Sequence, residues 1–365
     1  MKIQCSSEKV KNALVHAERV TGKNLTLPIL SSVLCIASGS SLKFRATNLS
    51  MGIEIEIPAK VEKEGVVAVS GTILSSFFAS SKGNQEVTME QVGETLLVKT
   101  KQARIQIKTF PYEDFPTIPV VEGENIKVPA KAFLEGIQSV YYAAAQTDIK
   151  PEIGSVYIYP EEDVLTFAAT DSFRLAEKKV KIKGLYGFQP VLIPYKNVVE
   201  LTRLLGEVDS DVSFTITKNL LSISFNGYYI TSRVVDGAFP DYRKIFPKEK
   251  TTEMVILKSE LQNAVKTSTL FSDKFNQITI DINPSKKSCV LSAKNTDVGE
   301  NEAELDAALS GEAISVVINY RYLLDCLNAI PSDSVSIECT QPSRPLLVKG
   351  VGDTSFLYLI MPMNR

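Results

Sequence analysis

The sequence has no tryptophan, a single histidine and only five cysteines among its 365 residues. Histidine is a frequent general base and metal ligand, so one copy, His16, excludes sites built on several imidazoles. The cysteines form no CxxC pair, which argues against a disulfide framework and against a zinc site. They are predicted to be free, buried thiols: Cys5, Cys35, Cys289, Cys326 and Cys339.

Long apolar runs are also absent. No segment approaches the roughly 18 consecutive apolar residues of a membrane-spanning helix. The first ten residues, MKIQCSSEKV, lack the apolar stretch of a signal peptide. These absences predict a cytoplasmic protein with no membrane partner.

The sequence contains none of the common catalytic signatures: no P-loop, GxGxxG, HExxH or GxSxG motif. Three aspartates, Asp171, Asp236 and Asp241, could in principle bind Mg²⁺ as in a nuclease. Each lies in a turn-like context, TDS, VDG or PDY, where aspartate commonly caps its own backbone. We therefore expect no catalytic residue, no metal and no cofactor.

What the sequence does contain is a threefold internal repeat. LKFRATNLSMGIEIEI begins at Leu42, VLTFAATDSFRLAEKK at Val164 and VLSAKNTDVGENEAEL at Val290. Aligned on Asn48, Asp171 and Asn295, the copies are 123 and 124 residues apart. Alternating apolar and polar residues on both sides of a turn-forming Asn or Asp predict a β-hairpin in each copy.

Helical patterns keep the same step along the chain. Amphipathic helices are predicted to begin near Ser7, Pro129 and Lys258, each before a hairpin. Second helices are predicted after the hairpins, at residues 70–82, 194–206 and 319–330. The first of these, SGTILSSFFASSK, has poor helical propensity and is predicted chiefly from the repeat.

The repeat length is that of a folded domain. A Pro- and acid-rich connector ends near Asn125, and a second linker runs from Lys248 to Glu253. The sequence therefore predicts an α+β fold of three similar domains, at residues 1–124, 125–248 and 249–365.

Charge is unevenly distributed in this slightly acidic chain. The formal net charge is -2, yet the six predicted helices carry ten basic and six acidic residues. Charge acts through its position as well as its sum, so a basic helical surface remains compatible with an acidic total. Random scatter over the helix surfaces explains the same count equally well.

Three features suggest binding surfaces. The middle hairpin has Phe173 and Arg174 at its turn, where the outer copies have neither group. The apolar chain end, FLYLIMPMNR, must be docked: it either packs on its own sheet or forms a soft, Met-lined groove for other proteins. Ile105 and Ile107 share one strand face, which belongs either to the core of the first domain or to an edge strand that pairs with another subunit.

The segments LTLPILSSV, ATDSFRLA, VDGAFPDYRKIFP and YLIMPM together resemble the bacterial DNA sliding clamps, the beta subunits of DNA polymerase III. The resemblance covers the full length, including the repeat. It implies that each domain packs two helices against two antiparallel sheets. It also implies a homodimer, in which two chains close head to tail into a ring around duplex DNA with the helices facing the hole.

The resemblance further implies a pocket that accepts short linear motifs of the replicative polymerase, the clamp loader, other polymerases and repair proteins. Two or three apolar anchors at about 1.5–3 kcal/mol each, less the cost of ordering a peptide, correspond to roughly micromolar affinity. The sequence departs from the family at Phe173, where histidine is common, and at Asn364 before the final Arg365. The implied pocket residues are Ile153, Thr170, Ser172, Phe173, Arg174, Leu175, Pro240, Ile245, Asn319, Tyr322, Ser343, Met361, Pro362 and Met363.

A clamp holds DNA without sequence preference, through few phosphate contacts. The residues expected to face DNA are Lys9, Lys11, Arg19, Lys23, Lys131, Lys150, Lys196, Arg203, Lys266 and Arg321. In ring closure, Ile105 and Ile107 of one chain are expected to meet Leu270 and Phe271 of the other. A three-domain interaction scaffold that never encloses DNA is the main competing hypothesis, and a metal-dependent nuclease is a third.

Overall fold

The structure is a computed structural model that describes residues 1–22, 26–80, 85–147 and 149–363. This part of the chain forms six α-helices and 26 β-strands. The helices are α1 Ser7–Arg19, α2 Gly71–Ser80, α3 Ala130–Val140, α4 Tyr195–Leu205, α5 Lys258–Ser268 and α6 Tyr320–Ala329.

The strands follow the same threefold order. In the first third they are β1 Lys2–Ser6, β2 Ser32–Ser38, β3 Ser41–Thr47, β4 Met51–Pro58, β5 Lys60–Lys63, β6 Gly65–Ser70, β7 Glu86–Val92, β8 Thr95–Lys99 and β9 Arg104–Phe110. In the middle third they are β10 Ile126–Pro129, β11 Ser155–Glu161, β12 Val164–Thr170, β13 Arg174–Lys181, β14 Val191–Pro194, β15 Asp211–Ile216, β16 Leu220–Phe225 and β17 Tyr228–Arg233. In the last third they are β18 Thr252–Leu257, β19 Gln277–Asn283, β20 Ser288–Asn295, β21 Gly299–Glu304, β22 Ala307–Gly311, β23 Ile314–Asn319, β24 Ser334–Cys339, β25 Leu346–Gly350 and β26 Phe356–Ile360.

The chain divides into two compact units. Unit 1 comprises residues 1–131, 186–188 and 199–234, and unit 2 comprises residues 132–185, 189–198 and 235–365. Unit 1 contains one 13-stranded sheet, ordered β10-β15-β16-β17-β4-β3-β2-β6-β9-β8-β7-β1-β5. Unit 2 contains a nine-stranded sheet, β14-β11-β12-β13-β26-β25-β24-β18-β22, and a four-stranded sheet, β21-β20-β19-β23. The predicted domain boundaries at residues 124 and 248 remain predictions.

Helix α1 shows why the amphipathic segments fold as predicted. Ser6 caps its N-terminus, where the side-chain oxygen accepts a hydrogen bond from the Lys9 amide at 3.4 Å. Val10, Leu14 and Ala17 are fully buried on one face. Burial of this apolar stripe against β3 and β4 stabilises the helix far more than its short length would allow alone.

Helix α2 forms despite its serine-rich sequence. Leu74 and Phe78, one turn apart, are completely buried. Ser70 accepts a hydrogen bond from the Ile73 amide at 3.4 Å and supports the first turn. Tertiary burial therefore outweighs the weak intrinsic propensity of this segment.

The three repeated hairpins are β3-β4, β12-β13 and β20-β21. All three turn in the same way. The side chains of Asn48, Asp171 and Asn295 accept a hydrogen bond from the amide two residues later, at 3.0, 2.9 and 2.9 Å. Short polar side chains that bond their own backbone favour such turns, as predicted from the aligned Asn and Asp positions.

Two of these hairpins are extended by a distant strand. In unit 1, β4 pairs antiparallel with β17, with Gly52 opposite Thr231. In unit 2, β13 pairs antiparallel with β26, with Leu175 opposite Leu359. The apolar chain end therefore docks on its own sheet, the first of the two predicted alternatives.

The five cysteines are buried and free, as predicted. Helix α3 packs on the central hairpin through Phe133, whose ring lies edge-on to that of Phe167 at 5.5 Å. A Cβ at Gly136 would lie only 2.1 Å from the Phe167 ring, so glycine permits this close approach. Among the described residues, no helix has the length and apolar character needed to cross a bilayer.

Candidate functional site

The turn of the central hairpin is held by three consecutive residues. The Thr170 hydroxyl donates to the Arg174 carbonyl at 2.6 Å and accepts from the Ser172 amide at 3.1 Å. Asp171 accepts from the Arg174 amide at 3.0 Å, which accounts for this aspartate as a turn former. Ser172 adopts a φ of 79°, a conformation that L-residues rarely occupy and that this bonding stabilises.

Arg174 is fixed on several sides. Its Nε donates to Asp171 Oδ2 at 2.9 Å, and its Nη1 donates to Asp325 Oδ2 on α6 at 2.6 Å. The guanidinium lies 4.7 Å from the ring centroid of Tyr322 and 5.9 Å from that of Tyr142. The Arg174 side chain is only 10% exposed. A planar cation with two carboxylate partners and an aromatic face is preorganised, because little rotamer freedom remains to be lost on binding.

The pKa of Arg174 follows from these contacts. Burial alone would lower it by disfavouring the charged form. Contacts with Tyr358, Asp325 and Asp171 favour the charged form and raise the pKa above its ordinary value. The guanidinium therefore stays charged, and the carboxylates of Asp171 and Asp325 offset that charge.

A cleft of about 490 Å³ opens beside this guanidinium. Four of the predicted pocket residues line it: Phe173, Arg174, Asn319 and Tyr322. Phe173 is 61% exposed, so its ring is available to a ligand. The remaining lining residues are Ala144, Ala145, Gln146, Thr147, Asp171, Asn276, Arg321 and Asp325.

An apolar cluster is built around Leu175, the residue that follows Arg174 on β13. Leu175 and Leu359, opposite each other on β13 and β26, are buried together with Tyr242. Phe239 and Phe246 cover this cluster and remain partly exposed. The Tyr242 hydroxyl donates to Glu177 at 2.5 Å, and burial together with this carboxylate raises the Tyr242 pKa.

The chain end runs along the turn. The Met361 amide donates to the Phe173 carbonyl at 2.8 Å, and the Met363 amide donates to the Val317 carbonyl at 2.8 Å. Met361 is 36% exposed, and Met363 and Pro362 are partly exposed. This places the predicted Met-Pro-Met segment next to Phe173.

Four other predicted pocket residues lie elsewhere in unit 2. Ile245 is 48% exposed at the end of the 3-10 turn Tyr242–Ile245, and Pro240 is exposed just before that turn. The Ile153 carbonyl accepts from the Ala145 amide at 2.9 Å, which brings this residue to the rim of the cleft. Ser343 is exposed on the loop between β24 and β25 and does not line the cleft.

Asp325 was missed by sequence reasoning. It lies one helical turn beyond Tyr322 on α6, so both side chains reach the same side of the helix. The three-residue spacing between Tyr322 and Asp325 can be seen in the sequence. The partner of Asp325, Arg174 on β13, is 151 residues away and leaves no local signal.

Most of the predicted DNA-facing residues lie exposed on helices. Lys9 and Arg19 on α1, Lys196 and Arg203 on α4, and Lys266 on α5 are exposed. Lys131 on α3, Arg321 on α6 and Lys150 in a loop are exposed too, whereas Lys11 is half-buried. Lys131 pairs with Asp209 at 2.9 Å and Arg203 with Glu200 at 2.6 Å, which offsets part of their charge. Lys23, like Asn364, lies outside the described residues.

The predicted interface residues differ in exposure. Ile107 is 5% exposed and belongs to the core of unit 1, while Ile105 is half-buried. Leu270 is 70% exposed, and Phe271 is half-buried in the 3-10 turn Thr269–Phe271.

Comparison with known proteins finds one family along nearly the whole chain. The family profiles of the DNA polymerase III beta subunit match in order: the N-terminal domain at residues 1–119, the central domain at 127–241 and the C-terminal domain at 243–364. The beta sliding clamp of Treponema pallidum is 28% identical over 374 residues, and that of Proteus mirabilis is 27% identical over 368. Both alignments cover 100% of each chain.

Solved structures show the same fold. The DNA polymerase III subunit beta of Pseudomonas aeruginosa superimposes with a TM-score of 0.93 at 24% identity and covers 100% of both chains. The sliding clamp of Bacillus subtilis has a TM-score of 0.94 at 21% identity, covering 100% of this chain and 99% of its own. The predicted α+β fold of three repeated domains is thereby confirmed. The chain belongs to the family of DNA polymerase III beta subunits, the bacterial sliding clamps that make replication processive.

Proposed function

We propose that two copies of this chain close head to tail into a ring around duplex DNA. The observation that carries this proposal is the pattern of strand pairing. The second strand of each repeated hairpin is β4, β13 or β21, and the last strand of each repeat is β9, β17 or β26. Within the chain β4 pairs with β17 and β13 pairs with β26.

In the described part of the chain, the second hairpin strand β21 and the last strand β9 have no partner of this kind. Among the described residues, β21 pairs only with β20. β9 pairs with β8 at residues 104–108, but it pairs with β6 only at Thr109 and Phe110, so residues 104–108 have an open edge. Exposed strand edges tend to pair with other strands. Pairing of β21 in one chain with β9 in a second chain would repeat the two internal joints and close a ring of six domains.

The charges of the two open edges are complementary. Arg104 and Lys108 are exposed on β9, and Glu300, Glu302 and Glu304 are exposed on β21. Cross-strand pairs of opposite charge favour pairing and register. Phe271 lies next to β21, since a Cβ at Gly299 would be 3.9 Å from its ring. The 3-10 turn with exposed Leu270 thus continues this edge as an apolar patch.

The helices supply a surface suited to DNA. The exposed basic residues on α1, α3, α4, α5 and α6 neutralise phosphates without reading base sequence. The low net charge of the chain limits the strength of this attraction, which allows sliding. Topology rather than affinity would then retain the clamp on DNA, with no catalytic residue and no cofactor required.

The cleft beside Arg174 and the apolar cluster around Leu175 support the second part of the proposal. Together they offer an exposed ring, a fixed cation and partly exposed apolar groups, the features that a short linear motif with apolar anchors needs. A solved structure of the sliding clamp of Pseudomonas aeruginosa, 25% identical over the full chain, contains bound griselimycin. The replicative polymerase, the clamp loader, other polymerases and repair proteins in the cytoplasm are the expected partners.

Retention on circular DNA tests the proposal. A ring loaded on a nicked circle has no end to leave by, so it should co-elute with the circle after a high-salt wash and be lost when the circle is linearised. An isolated interaction scaffold would show the same retention on both forms, or none on either, and that result would reject encirclement. Metal-dependent cleavage of the circle would instead support the nuclease hypothesis.

A further inference from the structure

A second cleft lies within unit 1 and has a volume of about 560 Å³. Its walls are the turn of the first hairpin, the connector after β9 and the end of β17. The lining residues are Thr47, Leu49, Ser50, Met51, Gly52, Pro116, Thr117, Ile118, Pro119, Asn219, Leu220, Thr231, Arg233 and Val234.

The hydrogen bonds of this cleft repeat those around Arg174. The Thr47 hydroxyl donates to the Met51 carbonyl at 2.8 Å, as Thr170 does to Arg174. The Arg233 amide donates to the Ser50 carbonyl at 2.8 Å, as Met361 does to Phe173. The turn and the strand joint beside this cleft are therefore built like the turn and the strand joint that carry Arg174 and Met361 in unit 2.

The connector after β9, which forms one wall of the cleft, is held in place by packing and hydrogen bonds. Phe115 packs on the cluster of Ile29, Leu34 and Ala68. The Tyr229 hydroxyl donates to the Pro119 carbonyl at 3.1 Å and accepts from the Val121 amide at 2.8 Å. The cleft is thus bordered by an ordered segment that binding would not have to fix.

The side chains of the two clefts differ in kind. By strand register, Gly52 and Thr231 stand where unit 2 has Leu175 and Leu359. A Cβ at Gly52 would lie 2.8 Å from Thr231 Oγ1 and 3.2 Å from Ile118, so the absence of a side chain keeps this floor open. This position is consequently more open and more polar than the leucine pair that occupies it in unit 2.

Charge distinguishes the clefts further. Arg233 occupies the position of Met361, and it is exposed. No ion pair of Arg233 occurs in the described part of the chain, although Arg174 in unit 2 has two carboxylate partners. An exposed, unpaired guanidinium favours a carboxylate ligand, which it can bind with two parallel hydrogen bonds.

We propose that this cleft is a second peptide-binding site and that it accepts a short acidic segment of a partner protein. A carboxylate of the ligand pairs with Arg233, and a neighbouring aliphatic side chain packs against Leu49, Ile118 and Leu220. The peptide class of the ligand rests on the proposed function of the unit-2 cleft, whereas the preference for acid rests on Arg233 alone.

Methyl NMR on the full-length protein with ¹³C-labelled isoleucine tests the proposal. Ile118 lines this cleft, whereas Ile245 ends the turn that carries Tyr242 of the unit-2 apolar cluster. The probe is the hexapeptide Ser-Glu-Asp-Leu-Ile-Ser with blocked ends, and the matched control is Ser-Gln-Asn-Leu-Ile-Ser. We expect the acidic peptide to shift the Ile118 methyl signal at millimolar concentration or below. The amide peptide, or the acidic peptide with Arg233→Gln, should bind at least about tenfold more weakly.

Lys183→Gln removes one exposed positive charge elsewhere and should leave the Ile118 titration unchanged. An unmoved Ile118 signal, equal binding of the two peptides, or equal effects of Arg233→Gln and Lys183→Gln would each overturn the proposal. A separate titration with the apolar hexapeptide Ser-Leu-Thr-Leu-Phe-Ser, followed at Ile245, tests the unit-2 cleft. The two proposals can therefore fail independently.

Discussion

Arg174 on β13 and Asp325 on α6 are joined by a hydrogen bond of 2.6 Å between Nη1 and Oδ2. This bond ties the turn that carries Phe173 to a helix that carries Arg321, one of the residues expected to face DNA. The guanidinium keeps its second carboxylate, Asp171, and its stacking on Tyr322 when Asp325 is changed. The contribution of Asp325 can therefore be measured without dismantling the site.

Asp325→Asn should weaken binding of the peptide Ser-Leu-Thr-Leu-Phe-Ser several-fold, because Arg174 loses one of the two anchors that hold it beside the cleft. Since Asp325 is 42% exposed, the cost to the free energy of unfolding should be at most about 1 kcal/mol. Fluorescence anisotropy and urea unfolding measure the two effects. Asp297→Asn, on an exposed turn, is the control, and equal affinities of the two variants would contradict a positioning role for Asp325.

Arg174→Ala combined with removal of residues 361–365 should abolish binding of the same labelled peptide. The change removes both the cation and the methionines next to Phe173, but it leaves the helices intact. Retention on nicked circular DNA should therefore persist. Fluorescence anisotropy measures peptide binding, and the circle assay measures retention on DNA. Undiminished peptide binding would show that the peptide site lies elsewhere.

Leu270→Asp should convert the proposed dimer to monomers, because a charge would be buried in the apolar part of the proposed interface. Light scattering after size exclusion gives the mass directly. Tyr186→Asp, which places the same charge at an 84% exposed position of the central third, should remain dimeric. An unchanged mass of Leu270→Asp would refute the assignment of this patch.

The pairing of β9 with β21 can be tested by charge exchange. Arg104→Glu with Lys108→Glu should weaken dimerisation by like-charge repulsion against Glu300 and Glu302. Adding Glu300→Lys and Glu302→Lys should restore it, because the opposite charges are again in register. Sedimentation at low and high salt measures both steps. Failure of the second pair to rescue the first would argue against this strand pairing.

His16 should titrate below its ordinary pKa of about 6.5. Burial lowers the pKa, Glu207 raises it and Arg19 lowers it, with burial dominant. Its Nδ1 lies 3.1 Å from the Tyr228 hydroxyl, a contact within unit 1. Because His16 is the only histidine, one imidazole proton signal in an NMR titration reports its pKa without assignment.

The sign of the stability effect follows from that direction. As the pH falls through about 6.5, His16 becomes protonated in the unfolded chain while it is still neutral in the folded chain. The folded state therefore loses stability relative to the unfolded state. The contribution is fully present above this value and stops changing below the folded pKa. His16→Gln should remove this slope between pH 7.5 and 5, measured by thermal unfolding. An imidazole that titrates above 6.5 would reverse the prediction.

The sequence predicted the local elements well because each is written in a short pattern. The alternation around Asn48, Asp171 and Asn295 predicted three hairpins, and the structure has a hairpin at each. Helix α2 could be predicted only from the repeat, since burial of Phe78, rather than propensity, stabilises it. The other two repeats each have a second helix at this position, and they thus predicted a helix that the α2 segment alone does not.

Long-range contacts could not be predicted in the same way. Neither the pairing of β4 with β17 nor the bond between Arg174 and Asp325 leaves a local periodic signal, because the partners are far apart in sequence. The pocket residues came from the family resemblance, which identified Phe173, Arg174, Asn319 and Tyr322 on the cleft wall. It could not reveal Arg233, whose significance depends on comparing two strand joints in space.

The five buried thiols have a practical consequence. Burial raises the pKa of Cys5, Cys35 and Cys339 to about 12 and that of Cys289 to about 11, and it raises that of Cys326 as well. At neutral pH these groups are almost entirely protonated and shielded, so maleimides and similar reagents should find little to attack in the native fold. A single cysteine introduced on the surface could therefore be labelled with a fluorophore at a defined position without first replacing the five native cysteines.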